Sequence, residues 1–224
     1  MAIRLNPAIL NGVGMTSART RSRLIERLRT LGITDAEVLS IMEQLPRHLY
    51  VDEALAHKAY DDTSLPIGFG QTISQPYIVA RMTELARVAP RHDKVLEIGT
   101  GCGYQTTILA QIFKTVYSIE RIGGLARTAR ERLAKLGVHN VRLRHGDGSK
   151  GWVESGPFDV IMLTAAAPIS PENLLPQLAP GGRMIFPVGD QDQELRLIER
   201  KDDVWVESRL EKVKFVPLLP GVSA

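Results

Sequence analysis

Cysteine is nearly absent from this chain. The single thiol, Cys102, excludes an internal disulfide and is compatible with a reducing compartment. Long apolar runs are absent too: nothing approaches the ~18–20 residues that a membrane-spanning helix needs. The first twenty residues are broken by Asn6, Pro7, Asn11, Gly12 and Gly14, so no export leader is expected there. Charge of one sign is not in excess. Lys plus Arg number 28 against 25 Asp plus Glu, a formal net charge of +3, which gives no strong whole-chain pull toward a polyanion. One local excess stands out: Arg19, Arg21, Arg23, Arg27 and Arg29, offset by Glu26. With no nucleic-acid motif beside it, this cluster reads as the solvated face of a helix. Repeats and low-complexity tracts are missing. The five histidines, His48, His57, His92, His139 and His145, fall on different elements and read as surface or core residues rather than as a catalytic pair.

What is present describes one globular unit. The 224 residues are 44% hydrophobic and 24% charged, ordinary values for a folded domain large enough to bury a core. Residues 1–19 read as a flexible arm and 20–224 as a single domain. Within it, 20–59 form a helical lobe, because Leu24, Leu28 and Leu31 recur at helical spacing. Val38, Ile41 and Leu45 do the same behind a Thr34/Glu37 capping box, and Pro46 stops the second helix. Residues 60–75 carry Pro66, Gly68 and Gly70 without a sustained period and are expected to be a long loop, the kind that often carries function. Pro76 suits the first turn of the next helix. From Asp93 onward strands and helices alternate: KVLEIG, TVYSIE, VRLRHG and FDVIML are separated by helical segments, with a further helix expected near 171–178 before GGRMIFPVG. The pattern predicts an α/β fold, a doubly wound, mostly parallel sheet over 76–224. QELRLIERK, VWVESRL and VKFVPL are expected to add antiparallel edge strands at the C-terminus.

The chemical signal is Glu97-x-Gly99-Thr100-Gly101-Cys102-Gly103, where the first core strand becomes a helix. Glycines permit a tight turn and close ligand approach, and a helix N-terminus offers free amides. A dinucleotide fingerprint fails its third glycine in both frames, at Tyr104 or at Thr106. The E-x-G-x-G-x-G order resembles the first motif of class I methyltransferases, which bind S-adenosyl-L-methionine. Glu120, at the end of the second strand, can accept both hydroxyls of a ribose. Asp147, in Gly146-Asp147-Gly148 after the third strand, is placed to meet an adenine edge.

With that turn in place, LPIGFGQTISQPYIVARMTEL (65–85) is close to the segment that marks the protein-L-isoaspartate O-methyltransferases. Further blocks follow in order: VLEIGTGCGYQT, VYSIER, NVRLRHGDGSKGW, PFDVIMLTAAA, LLPQLAPGGRMIFPVG and FVPL. The resemblance runs from about Thr16 to the C-terminus. It implies a Rossmann-like class I methyltransferase core and a repair activity on damaged proteins and peptides. The methyl of S-adenosylmethionine would pass to the free carboxylate of an L-isoaspartyl or D-aspartyl residue, leaving S-adenosyl-L-homocysteine. The ester would then close to a succinimide off the enzyme and return partly to L-aspartate. By this resemblance Ser74 is the active-site hydroxyl, with Thr72, Ile73 and Val216 toward the substrate. Glu97, Gly99, Thr100, Gly101, Gly103, Glu120, Asp147, Gly148 and Thr164 are placed toward the cofactor. A cytoplasmic monomer is expected, with no metal and with neither nucleic acid nor membrane among its partners.

The chemistry agrees with what the sequence lacks. A carboxylate is already ionised near neutral pH, so it needs no general base. Read without the resemblance, Ser74 is equally a cap for the helix opened by Pro76, and Thr72 is an alternative donor. Two other functions stay open at this stage. One is methylation of a small molecule or nucleic acid, although neither an Asn-Pro-Pro-Tyr motif nor a Pro-Cys pair is present. The other is adenosine-ligand binding without turnover.

Overall fold

The computed structural model describes residues 14–224. The expected arm at 1–19 therefore lies mostly outside the described residues. Its visible end is a 3-10 turn, Gly14–Thr16, and helix α1 already begins at Ala18. α1 (Ala18–Thr30) turns Leu24, Ile25 and Leu28 inward. Arg19, Arg23, Arg27 and Arg29 are exposed, as a solvated face should be, while Arg21 is buried and donates to the carbonyls of Glu43 and Thr16. α2 (Ala36–Gln44) is capped differently from the expectation. Asp35, not Thr34, is the N-cap, and its carboxylate accepts from the amides of Glu37 and Val38 at 2.9 and 3.0 Å. The Thr34 and Asp35 amides turn instead to Glu84. An ionised carboxylate at a helix N-terminus satisfies free amides and opposes the positive end of the dipole.

The segment 60–75 is more regular than predicted. It holds an antiparallel hairpin, β1 (Leu65–Gly68) with β2 (Gln71–Ile73), joined by a tip at Gly68-Phe69-Gly70 in which all three residues have positive φ. Strands this short carry no readable alternation, and the turn residues mask them. α3 (Pro76–Arg87) follows.

The core sheet has seven strands in the order β5-β4-β3-β6-β7-β8-β9. β3 (Lys94–Ile98), β4 (Thr115–Glu120), β5 (Val141–His145), β6 (Phe158–Leu163) and β7 (Leu178–Val188) are parallel. β8 (Gln193–Lys201) and β9 (Val204–Val213) continue the sheet antiparallel. Side chains alternate by the period of two that strands impose. Val95, Val116, Val160, Met162 and Ile185 join one core with α1, α2, α3, α4 (Tyr104–Ile112) and α5 (Gly123–Lys135). Leu96, Ile98, Ile161, Leu163, Met184 and Phe186 form the core on the other face. There the helix expected near 171–178 is a 3-10 segment, Glu172–Gln177, with Pro176 inside it; proline has no amide for an α-helical bond and its ring crowds the preceding turn. The last expected strand, VKFVPL, is not one. After β9 the chain leaves the sheet: Phe215 donates its amide to Gln193 and Pro217 makes only an isolated bridge to Ala166.

Candidate active site

The sheet reverses its winding at β3, with β4 on one side and β6 on the other. That is where a doubly wound sheet opens a crevice at its strand C-termini. The crevice here encloses about 790 Å³ including its open mouth, and its wall collects the ends of the parallel strands. Ile98, Gly99, Thr100 and Gly101 come from β3 and its turn, Glu120 and Arg121 from β4, Gly148 from the loop after β5, and Thr164 from the loop after β6.

The glycine turn is shaped by necessity. Gly99, Gly101 and Gly103 have φ of +100°, +54° and +87°, a region that L side chains avoid. A Cβ on Gly99 would run into Thr164 Oγ1, and one on Gly101 would sit 3.3 Å from Ile67 Cδ1. Thr164 Oγ1 itself lies 2.5 Å from the Gly99 carbonyl. From below, Glu120 braces the turn. Its Oε2 accepts from the Gly101 amide at 2.8 Å and its Oε1 from the Ile122 amide at 2.9 Å. Each carboxylate oxygen keeps capacity for a further donor from the crevice.

Three of the residues expected at the cofactor stand off the wall. Glu97 is fully buried beneath it. Its Oε2 receives the hydroxyls of Thr106 (2.5 Å) and Ser118 (2.6 Å), and Oε1 has no hydrogen-bond partner among the described residues. Burial pushes its carboxyl up to about 8, against the pull of the Ser118 and Thr106 hydrogen bonds. Gly103 starts α4 and packs toward Ala129 and Leu133 of α5. Asp147 accepts from Ser149 and, at 2.8 Å, from the Gly221 amide. Partial burial alone would raise its carboxyl, but the bonds from Gly221 and Ser149 hold it below the ordinary value. Asp147 thus ties down the C-terminal segment that crosses the crevice, where Val216, Pro217, Leu218 and Leu219 form wall. The β1–β2 hairpin supplies the opposite wall through Ile67 and Gln71. Of these, Val216 was expected near the substrate, but Ile67, Gln71, Pro217, Leu218 and Leu219 were not legible in sequence, because only the tertiary path brings both segments over the turn.

Beside the crevice runs a groove lined by Asp62, Thr63, Ser64, Gln75, Ile78 and the Lys212–Phe215 segment. Thr72, Ser74, Thr164 and Val216 line both spaces. Ile73, buried, anchors the hairpin and faces the crevice. Ser74 is not the helix cap. α3 takes Gln75 as N-cap, with no side-chain bond of its own. Tyr77's amide is satisfied by Asp62 Oδ1 at 2.8 Å, while Asp62 Oδ2 accepts from Gln75 Nε2 at 2.9 Å. The Ser74 hydroxyl has no hydrogen-bond partner among the described residues. No cluster of three or more His, Cys, Asp or Glu able to hold a metal occurs among them either, and no helix is long and apolar enough to cross a membrane.

A glycine turn at the switch point of a parallel sheet, an acid at the next strand end and no pyrophosphate fingerprint define the class: a Rossmann-like, S-adenosylmethionine-dependent methyltransferase. Comparison with known proteins narrows it. The family model described as protein-L-isoaspartate(D-aspartate) O-methyltransferase matches residues 19–223. The chain is 57% identical over 219 residues to a protein-L-isoaspartate O-methyltransferase of Cellvibrio japonicus, covering 96% of this chain and 98% of that one. It is 58% identical over 215 residues to the enzyme of the same name from Chromohalobacter salexigens, covering 95% and 93%. Among solved structures, a protein-L-isoaspartate O-methyltransferase from Plasmodium falciparum in complex with S-adenosyl-L-homocysteine superposes with a TM-score of 0.77 at 28% identity, covering 89% of this chain and 98% of that one. The chain belongs to the protein-L-isoaspartate(D-aspartate) O-methyltransferase family.

Proposed function

We propose that this protein methylates the free carboxylate of L-isoaspartyl, and of D-aspartyl, residues in damaged proteins and peptides. The observation that carries this reading is the wall shared by crevice and groove. Thr72, Ser74, Thr164 and Val216 border both, so a peptide carboxylate in the groove meets a methyl donor in the crevice without either leaving its place. S-adenosylmethionine supplies a sulfonium methyl: the carboxylate oxygen bonds to it as the carbon–sulfur bond breaks, giving a methyl ester and S-adenosyl-L-homocysteine.

The residues of the chain align and enclose. Glu120, its two oxygens fixed by the Gly101 and Ile122 amides, accepts the ribose hydroxyls. Gly99, Thr100 and Gly101 border the methionine portion, Gly148 borders the adenosyl portion, and Thr164 stands at the junction. Glu97, Gly103 and Asp147 serve from outside the wall, Glu97 and Gly103 by supporting the turn and Asp147 by holding Gly221. Ser74 Oγ donates to one oxygen of the substrate carboxylate and leaves the other to attack. Thr72, Ile73 and Val216 confine the side chain. No proton has to be removed, because the nucleophile is already an anion near neutral pH. Alignment of the two reactants is the main source of acceleration, and such alignment is worth roughly 7–11 kcal/mol in favourable cases. In solution the backbone amide nitrogen of the following residue then attacks the ester carbonyl, and methanol leaves as the succinimide closes.

The test is methyl transfer from labelled S-adenosylmethionine to matched peptides differing only in Asp against isoAsp. Base-labile label on the isoaspartyl peptide alone is the expected outcome. Label that resists base, or equal labelling of both peptides, would overturn the assignment.

A further inference from the structure

Asp62 lies well outside the glycine turn, yet it is tied to the catalytic segment by two hydrogen bonds. Its Oδ1 takes the Tyr77 amide, in the first turn of α3, and its Oδ2 takes the Gln75 side chain. Those bonds come from the residues on either side of Pro76, directly after Ser74. Pro76, between them, has no amide to offer. A helix N-terminus ordinarily recruits a Ser, Thr, Asp or Asn at its own N-cap; here the N-cap is Gln75, without a capping bond, and the carboxylate comes from upstream in the chain. Ser74, the nearest hydroxyl that could cap, stays free at the junction of crevice and groove.

Asp62 is itself held from the helical lobe. Arg47 is fully buried; its Nε donates to the Ala59 carbonyl at 2.9 Å and its Nη2 to the Thr63 carbonyl at 3.3 Å, one on each side of Asp62. The Arg47 guanidinium lies 5.2 Å from the centre of the Tyr104 ring, and Tyr104 opens α4 at the end of the glycine turn and lines the crevice. The 59–63 segment is thus clamped against the cofactor side of the site, and Asp62 hands that fixed position on to the Ser74 segment.

We propose that Asp62 is a positioning residue for methyl transfer: by capping α3 from outside the helix it fixes the Thr72–Gln75 segment and leaves the Ser74 hydroxyl free for the substrate carboxylate. This rests on the role given to Ser74 above. A cap that served stability alone would need no connection to that role. A positioning residue must act through Ser74, so its effect must fade when Ser74 is already gone.

The experiment is a double-mutant cycle with Asp62→Ala and Ser74→Ala on the full chain. It reads kcat and KM for an isoaspartyl peptide per folded molecule, melting temperature, S-adenosyl-L-homocysteine affinity, and affinity of the peptide for the S-adenosyl-L-homocysteine-bound protein. Asp62→Ala is expected to lower kcat about ten-fold, the scale of a lost alignment, and to change S-adenosyl-L-homocysteine affinity less than about two-fold. In the Ser74→Ala background the further loss should shrink to about two-fold or less, the signature of coupled residues. If Asp62→Ala fails to fold, Asp62→Asn enters the same cycle; it keeps an acceptor for Tyr77 and turns an amide against Gln75. Full kcat in the folded Asp62 variant, or an undiminished loss in the Ser74→Ala background, overturns the proposal while leaving Ser74's role intact. Full activity of Ser74→Ala alone overturns both.

Discussion

The Gly101 amide donates to Glu120 Oε2 across 2.8 Å, so the acid at the end of β4 fixes the backbone of the turn that follows β3. One carboxylate both shapes the turn and faces the crevice. Glu120→Ala is expected to weaken S-adenosyl-L-homocysteine binding by about 2 kcal/mol, the scale of hydrogen bonds to a charged group. Titration calorimetry measures it. Unchanged affinity would remove Glu120 from the ribose site. Glu120→Gln should lose a similar amount, because an amide cannot accept from both the Gly101 and Ile122 amides.

Ser74→Ala should lower turnover on an isoaspartyl peptide by about 1.5–3 kcal/mol of transition-state stabilisation, very roughly ten- to a hundred-fold in rate. Since Asp62 and not Ser74 caps α3, the melting temperature should hardly move. A drop in stability with the rate per folded molecule intact would reassign Ser74 to structure. Ser74→Thr keeps the hydroxyl and should retain part of the activity.

Gly99→Ala tests the turn. At φ +100° a side chain is strained, and its Cβ would collide with Thr164 Oγ1. A loss of stability above about 1 kcal/mol is expected, from strain and collision together, along with weakened cofactor binding. Adding Thr164→Ala relieves the collision but not the backbone strain, so only part of the stability should return in a denaturant titration. Complete recovery would show that φ at this position is not the constraint.

Glu97 makes stability depend on pH. Its carboxyl is raised from the ordinary 4.5 to about 8 by burial. Between those values the folded protein holds a proton that the unfolded chain has released. The stability associated with the neutral form is therefore complete below about 4.5 and declines as pH rises toward about 8. Glu97→Gln carries no such proton. Its melting temperature relative to the native protein should improve from pH 5 to about pH 8 and level off above that, a total gain equivalent to a few kcal/mol. A difference that stays flat with pH would mean that Glu97 is ionised in the folded state.

Much of the site was legible because chemistry leaves local marks. Glycines at 99, 101 and 103 are demanded by backbone dihedrals, and acids at strand ends sit where the alternation of strands and helices places them. Capping was less legible. Thr34 and Glu37 have capping-box spacing, yet Asp35 caps α2 and Glu84, far along the chain, takes the Thr34 amide. The same holds for α3, whose cap comes from Asp62. Helix ends need only an acceptor in reach, and spacing along the chain does not say whose.

The sequence by itself determined the parallel α/β core and the glycine turn with its acid, because side-chain period and backbone sterics act within a few residues. Tertiary structure alone decided which residues form the wall. It moved Glu97 beneath the crevice, engaged Asp147 with Gly221 and drew Leu218, Leu219 and Ile67 over the turn. It also freed Ser74 by supplying a cap from elsewhere. These outcomes depend on which distant groups come within about 3 Å of one another, the range over which a hydrogen bond is made, and that is settled only when the sheet and its helices have packed.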